Sequence, residues 1–288
     1  MTPLSPQMAA REGFRLLKRE PKAFIAWVAL WMATFSVAAW VVAVSRPAAA
    51  AHGGSRSSFG EVAARFGPFA WLLMAMFLIV WVVTAVAAFR AVLHPDQRRG
   101  FFLRLGIDEL RLGFLTLVAF FAAVGVGGAP AYLVFVLVSP IMSAVPAATR
   151  LIVEIGVLVT VWLDVWLGVR LSLIAVETYA ERRFHLMAYW PVTRGRFWYL
   201  LASYFLIFLI FLGLTVLFVP VIIVLTPTEL TRAAGGDILR SIGLLAQAGM
   251  LAGLIAMFWT LSLTLFYACQ AHAFRAIVGE GRDGVAPA

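Results

Sequence analysis

Long runs of apolar residues alternate along this chain with short, strongly basic segments. Ala23 to Ser45 carries no charge over 23 residues, more than the roughly 20 that carry a helix across about 30 Å of hydrocarbon. A secretory signal would have an apolar region of only about 7–15 residues, so the small residues Ala48 to Ala51 are not expected to be a cleavage site. Further uncharged runs lie between Arg65 and Arg90, Arg111 and Arg150, Arg196 and Glu229, and Arg240 and Arg275. Leu151 to Val176 is interrupted by Glu154, Asp164 and Arg170, yet its length and remaining residues still read as a crossing helix. The pattern predicts an all-α membrane protein with six transmembrane helices, near 23–45, 68–90, 113–139, 151–176, 197–226 and 241–272. Within the third run, Gly125, Gly127, Gly128, Pro130, Pro140 and Pro146 allow either one kinked helix or a helix with a re-entrant turn. The kinked helix is the expected form.

The basic residues orient these spans, because loops rich in Lys and Arg stay cytoplasmic. With the N-terminus inside, 17 of the 23 basic residues fall on inner segments and 6 on outer ones. Both termini are therefore expected in the cytoplasm, with outer loops near 46–68, 141–149 and 227–238. Residues 1–22 form a basic lead-in, 23–277 the six-span domain and 278–288 a short cytoplasmic tail.

On a helical wheel the lead-in places Ala9, Ala10, Gly13, Phe14, Leu16 and Leu17 on one arc and Arg11, Glu12, Arg15, Lys18 and Arg19 on the other. Ser5 can cap its start, and Pro21 ends it before the first span. A basic amphipathic helix of this kind is expected in the headgroup plane, each basic residue contributing about 1 kcal/mol at an anionic surface. Plain topological charge accounts for the same residues without any specific lipid. A second inner segment, Phe101 to Leu112, carries a polar stripe of Arg104, Asp108 and Arg111 and reads as another interfacial helix. A third, Arg182 to Trp198, mixes Phe184, Tyr189, Trp190, Phe197 and Trp198 with Arg182, Arg183, Arg194 and Arg196, as at a headgroup interface. Each inner segment leads into a pair of spans, and Ala88-Phe89-Arg90-Ala91-Val92 recurs as Ala273-Phe274-Arg275-Ala276-Ile277. That spacing suggests a weak threefold repeat of helical hairpins.

Composition sharpens this picture. The chain is 63% hydrophobic and 13% charged, against about half and a quarter in soluble domains. No polar stretch is long enough for a separate catalytic or DNA-reading domain. The net charge of +9 is explained by an anionic cytoplasmic leaflet, so no nucleic-acid partner is expected. Only Lys18 and Lys22 among the 23 basic residues are lysines, a bias typical of GC-rich bacterial coding that points to a bacterial inner membrane. The single cysteine, Cys269, excludes an intrachain disulfide and a thiolate metal cluster.

Two features remain that the hydrophobic effect does not explain. Glu154 and Asp164 lie in the fourth span, and an intramembrane carboxylate costs several kcal/mol unless it faces protein, water or a partner. They can serve a proton or substrate relay. Alternatively, Glu154 sits at the outer headgroups beside Arg150, and Asp164 is neutral or hydrogen-bonded. Arg170 and Glu177, seven residues apart, share a helix face and can clamp backbones or a headgroup. In the sixth span Gly249 and Gly253 form a small-residue face, beside Gln247, on which the fourth span can pack. His52, His94, His185 and His272 are scattered, and there is no H-E-x-x-H, G-x-S-x-G or P-loop, so no cofactor, metal or catalytic residue is assigned.

The stretch Val169-Arg170-Leu171-Ser172-Leu173, Glu177, then Tyr189-Trp190-Pro191-Val192-Thr193-Arg194-Gly195-Arg196-Phe197-Trp198 resembles the membrane domain associated with glycerophosphoryl diester phosphodiesterases and related multi-pass proteins. The likeness covers about 30 residues. A proline common between that family's arginine and glutamate is replaced here by Ile174-Ala175-Val176, and Pro191 interrupts the helix before the Thr-Arg-Gly turn. The family's soluble catalytic barrel has no counterpart. The resemblance implies a membrane fold type rather than phosphodiesterase activity. The leading expectation is a non-catalytic multi-pass protein that organises lipid or serves as an accessory or scaffold subunit, with anionic headgroups, protein partners or its own copies as partners. The alternative is a transporter or lipid permease whose pathway passes Asp164, Glu154 and Arg170.

Overall fold

The computed structural model describes residues 5–45, 59–96, 99–103, 106–123, 147–181, 195–225 and 238–283. The protein is all-helical there, with no strand among the described residues. We number the helices α1 (Pro6–Arg19), α2 (Pro21–Ser45), α3 (Phe59–Leu93), α4 (Ile107–Ala123), α5 (Ala147–Glu181), α6 (Phe197–Leu225) and α7 (Ile238–Asp283), with a short 3₁₀ turn at Arg99–Phe102. Four segments among the described residues are long and apolar enough to cross a membrane: Pro21–Val41, Trp71–Leu93, Phe197–Ile222 and Gly249–Val278. Several helices extend beyond the spans read from the pattern, α5 among them, which runs from Ala147 to Glu181. Helix α3 starts nine residues before 68, inside the expected outer loop, and α7 runs on to Asp283. Residues 124–146, where the kinked or re-entrant segment was expected, lie outside the described residues.

The chain divides into two compact units. The larger comprises Gln7–Arg104 and Ser203–Cys269. At its centre is the second half of α3, where every residue from Val82 to Val92 is buried, as expected of a helix apolar on all sides. Ala85, Ala87, Ala88 and Ala91 keep that segment slim, so neighbouring helices can approach closely. Aromatic residues at helical spacing project from α2, α3 and α7 into one cluster. Trp31 packs against Phe35, Phe77 and Trp259 at centroid distances of 5.6, 6.0 and 5.8 Å. Trp81 meets Trp259 edge-on at 5.9 Å, and Phe89 meets Tyr267 edge-on at 5.3 Å. Trp31–Trp259, Trp81–Trp259 and Phe89–Tyr267 align ring edges with ring faces, each adding about 0.5–1.5 kcal/mol beyond burial. Several polar side chains inside this apolar unit bond within it, while Trp259 Nε1 is buried without a partner among the described residues. Trp31 Nε1 donates to Thr84 Oγ1 at 3.1 Å, Trp81 Nε1 donates to the Tyr267 hydroxyl, and Thr84, Thr260, Ser262 and Thr264 donate to backbone carbonyls four residues back.

The turn after α3 breaks the interfacial helix expected from Phe101 to Leu112. Gly100, Phe101 and Phe102 have φ of 63°, 55° and 65°, a left-handed conformation that costs roughly 1–2 kcal/mol for each non-glycine residue. Surrounding side chains hold it. The Trp27 indole donates to the Phe101 carbonyl at 3.0 Å, and buried Arg90 donates to the Phe102 carbonyl at 2.6 Å. The Phe102 ring is buried as well, so the turn is pinned by a charge-assisted bond and by packing.

The smaller unit comprises Met1–Pro6, Leu105–Ala202 and Gln270–Ala288, and within it α4 packs on α5. Its α4 begins at Ile107, and Glu109, which is outside the expected Arg104, Asp108, Arg111 stripe, is buried. Glu109 stands at the third helical position. Its Oε2 lies 3.1 Å from where a Cβ on Gly106 would be, so the carboxylate folds back over the helix start, where exposed N–H groups and the dipole favour negative charge. Leu112 and Leu115 continue that buried face, while Ile107, Leu110 and Phe114 point outward. The side chain of Asp108, and Arg104 altogether, lie outside the described residues.

Candidate functional site

Within the larger unit, α1 is amphipathic as predicted, but its apolar arc faces protein. Ala9, Ala10, Gly13 and Leu16 are buried, and Phe14 is exposed. Ala9 and Ala10 cluster with Ile207 of α6 and with Leu265 and Cys269 of α7. A Cβ at Gly13 would stand 2.7 Å from both Cα and Cδ2 of Leu265, so glycine is what permits this contact. The arc expected in the headgroup layer thus packs, at Ala9, Ala10 and Gly13, on α6 and α7. A wheel diagram shows that an arc must be covered and is silent on what covers it.

The ends of α1 are fixed too. Glu20 alone separates it from α2: its N–H donates to the Leu16 carbonyl at 2.9 Å and its carbonyl accepts from Phe24 N–H at 3.2 Å. Pro21 thus closes α1 and occupies the first position of α2, where its missing N–H costs nothing. Arg19 donates to the Ala91 carbonyl in the last turn of α3, a favourable place for a cation. Docking leaves the basic arc turned outward. Arg11, Arg15 and Lys18 are exposed, and Arg15 pairs with Glu12 at 3.5 Å.

Beside this docked helix is a cavity of 330 Å³ between Trp81 of α3, residues 204–214 of α6 and residues 259–266 of α7. Its walls are aromatic and aliphatic, with Ser262 among the lining side chains. The volume is at the lower end of the roughly 300–1,000 Å³ typical of ligand pockets. Phe208 and Phe211 line it and are exposed, so it opens sideways from the unit. Composition alone gave no sign of it, because a groove and a packed contact present the same apolar residues.

In the smaller unit the Arg170 guanidinium lies 5.5 Å from the Trp166 ring centroid and 5.7 Å from that of Phe197. Both distances are within the roughly 6 Å reach of a cation–π contact. Glu177, on the same helix, is almost completely buried next to Thr178 and Tyr179. Arg170→Lys should lower the stability of the chain in mixed micelles by about 1 kcal/mol, because an ammonium cannot lie flat on two rings. An unchanged unfolding midpoint would show that these rings only neighbour the cation.

Some of the other predicted positions lie outside the described residues. Glu154 and Asp164 lie on α5, and their side chains, like that of Gln247, are outside the described residues, as are Thr193 and Arg194. Arg196 is half-buried, and its carbonyl accepts from Leu200 N–H at 3.1 Å at the start of α6. A Cβ on Gly195 or Gly249 would meet nothing within 4 Å, and one on Gly253 would come only to 3.9 Å from Met32 Sδ. Gly253 looks towards α2, and among the described glycines the closest approach is at Gly13. The repeated Ala-Phe-Arg-Ala motif has two environments, with Arg90 buried and Arg275 exposed. No group of three or more His, Cys, Asp or Glu able to hold a metal occurs among the described residues. No family, curated protein or solved structure matches the chain.

Proposed function

We propose that this chain is a non-catalytic, six-span protein of a bacterial inner membrane, with both termini in the cytoplasm, that organises anionic lipid and serves as a scaffold or accessory subunit. The fourth crossing would be α5, and the third would start in α4, so that three helical hairpins follow three inner segments. The observation that carries the reading is the rigid presentation of α1. A helix whose apolar arc was free would partition reversibly between water and headgroups. Here that arc is occupied by Ile207 and Leu265, leaving Arg11 and Lys18 as a fixed basic face, with Arg15 partly compensated by Glu12. Fixed positive charge on a membrane-spanning body enriches anionic lipid around it at about 1 kcal/mol per cation. The likeness of Val169 to Trp198 to the membrane domain of the phosphodiesterase family supports a membrane-organising role without hydrolysis.

The test uses the full chain reconstituted in phosphatidylcholine vesicles containing a minority of phosphatidylglycerol. Lipid extracted with the protein should be enriched in phosphatidylglycerol. The triple variant R11Q/R15Q/K18Q should reduce that enrichment about tenfold or more at low salt, and the difference should shrink as salt is raised. Equal enrichment in the two proteins, or none in either, would remove lipid organisation by α1 as the function.

A further inference from the structure

Ile207 and Leu265 belong to two surfaces at once. On one they receive Ala9, Ala10 and Gly13 of α1, and on the other they line the 330 Å³ cavity with Trp81, Tyr204 and Trp259. The basic helix is therefore seated against the wall of an apolar groove. No charged side chain lines that groove. Trp81 Nε1 donates to Tyr267 and the Ser262 hydroxyl donates to the Phe258 carbonyl at 2.8 Å, while Nε1 of Trp259, which also lines the groove, is buried without a partner among the described residues. With the remaining wall aromatic and aliphatic, the groove suits a hydrocarbon occupant. All of its lining residues belong to the segments Trp71–Leu93, Phe197–Ile222 and Gly249–Val278, and its mouth at Phe208 and Phe211 lies on the outward side of apolar helices. In a bilayer that mouth meets acyl chains. The neighbouring charges then select among lipids, because Arg11, Arg15 and Lys18 stand exposed on the helix that shares the groove wall.

We infer that the larger unit holds an individual anionic phospholipid, one acyl chain lying in the groove lined by Trp81, Ile207, Trp259 and Leu265 and its headgroup met by the basic face of α1. The inference rests on the proposed lipid-organising role and narrows it from general enrichment to a defined site. The chain in the groove replaces bulk hydrocarbon contacts with fixed aromatic walls, and the headgroup supplies the preference for an anion.

Bromines on an acyl chain quench nearby tryptophans, and Trp81 and Trp259 line the groove. The full chain is reconstituted in phosphatidylcholine, and brominated phosphatidylglycerol or brominated phosphatidylcholine is titrated in. Annular lipid quenches in proportion to its mole fraction, whereas a site saturates. The expected result is a saturating component for phosphatidylglycerol, at about tenfold lower mole fraction than for phosphatidylcholine. It should be lost in Ser262→Phe and Leu214→Phe, which fill the groove, and much reduced in amplitude in Trp259→Phe. R11Q/R15Q/K18Q should keep the amplitude and lose the preference for phosphatidylglycerol. If the filling variants do not fold, the Trp259→Phe amplitude decides the location, and an unchanged amplitude overturns the site. Phosphatidylglycerol enrichment without a saturating component overturns the site and leaves the general function standing. Saturation without headgroup preference, together with no enrichment, overturns both. A stable dimer that Ser262→Phe dissociates, with no saturating quench, assigns the groove to a second copy of the chain and also overturns the inference.

Discussion

Gly13→Leu is expected to undock α1, lowering the unfolding free energy of the reconstituted chain by about 3 kcal/mol, the upper end of the usual range for overpacking. The size of the effect comes from what the new side chain would strike. A Cβ at this position already lies 2.7 Å from Leu265 Cα, and a backbone atom inside a long helix cannot rotate away as a side-chain tip can. The other contact, Leu265 Cδ2, is equally close, so yielding there would leave the backbone clash in place. The helix must lift, uncovering Ala9, Ala10 and Leu16. Unfolding in mixed micelles gives the energy, and tryptic cleavage at Arg11, Arg15 and Lys18 gives the exposure of the freed helix. A Gly13→Leu protein that unfolds at the wild-type midpoint and resists trypsin equally well would show that α1 is not held by this contact. Gly13→Ala should be intermediate.

Trp31→Ala should be similarly damaging, at about 3 kcal/mol, by a different route. Truncation of a buried aromatic costs about 3–5 kcal/mol in water-soluble cores, where lost transfer and a residual cavity add together. For separated helices in a bilayer the indole would still be surrounded by hydrocarbon, so the transfer contribution largely cancels and the loss is one of packing. That loss is large here. Trp31 is fully buried, touches three other rings and donates to Thr84, so its removal leaves a void between α2, α3 and α7. Trp31→Phe, keeping one ring but not the donor, should cost less than half as much. The midpoint of unfolding measures both, and near-wild-type stability of Trp31→Ala would mean that the aromatic cluster is not what joins these helices.

Much of the architecture was legible in the sequence because a bilayer imposes length and apolarity on each crossing helix. Four segments of the required length lie where uncharged runs placed them, and the buried set on α1 was written in its helical period. What α1 faces was not legible, since lipid and protein demand the same arc. The sequence also showed Gly100 without showing that Phe101 and Phe102 would join it in left-handed geometry, a choice made by Trp27 and Arg90 from elsewhere in the chain. Glycine spacing pointed to Gly249 and Gly253, where the surroundings are open or only in ordinary contact. Gly13, inside a polar-looking segment and outside any GxxxG pattern, makes the close approach. Glu109 lies outside the Arg104, Asp108, Arg111 stripe, and it is its place at the third helical position, where the helix start favours an acid, that accounts for its buried, folded-back carboxylate.

The seat of α1 also sets an order of events during synthesis. Gly13 precedes Leu265 by about 250 residues, and chains emerge N-terminal end first. Until α6 and α7 have been inserted, α1 has its charges and its apolar arc but no protein surface to cover that arc. In that interval the headgroup layer is the place where both halves of the helix are satisfied. The nascent chain is thereby moored to the membrane surface by the segment that later becomes part of the fold, and arrival of α7 transfers α1 from lipid to protein.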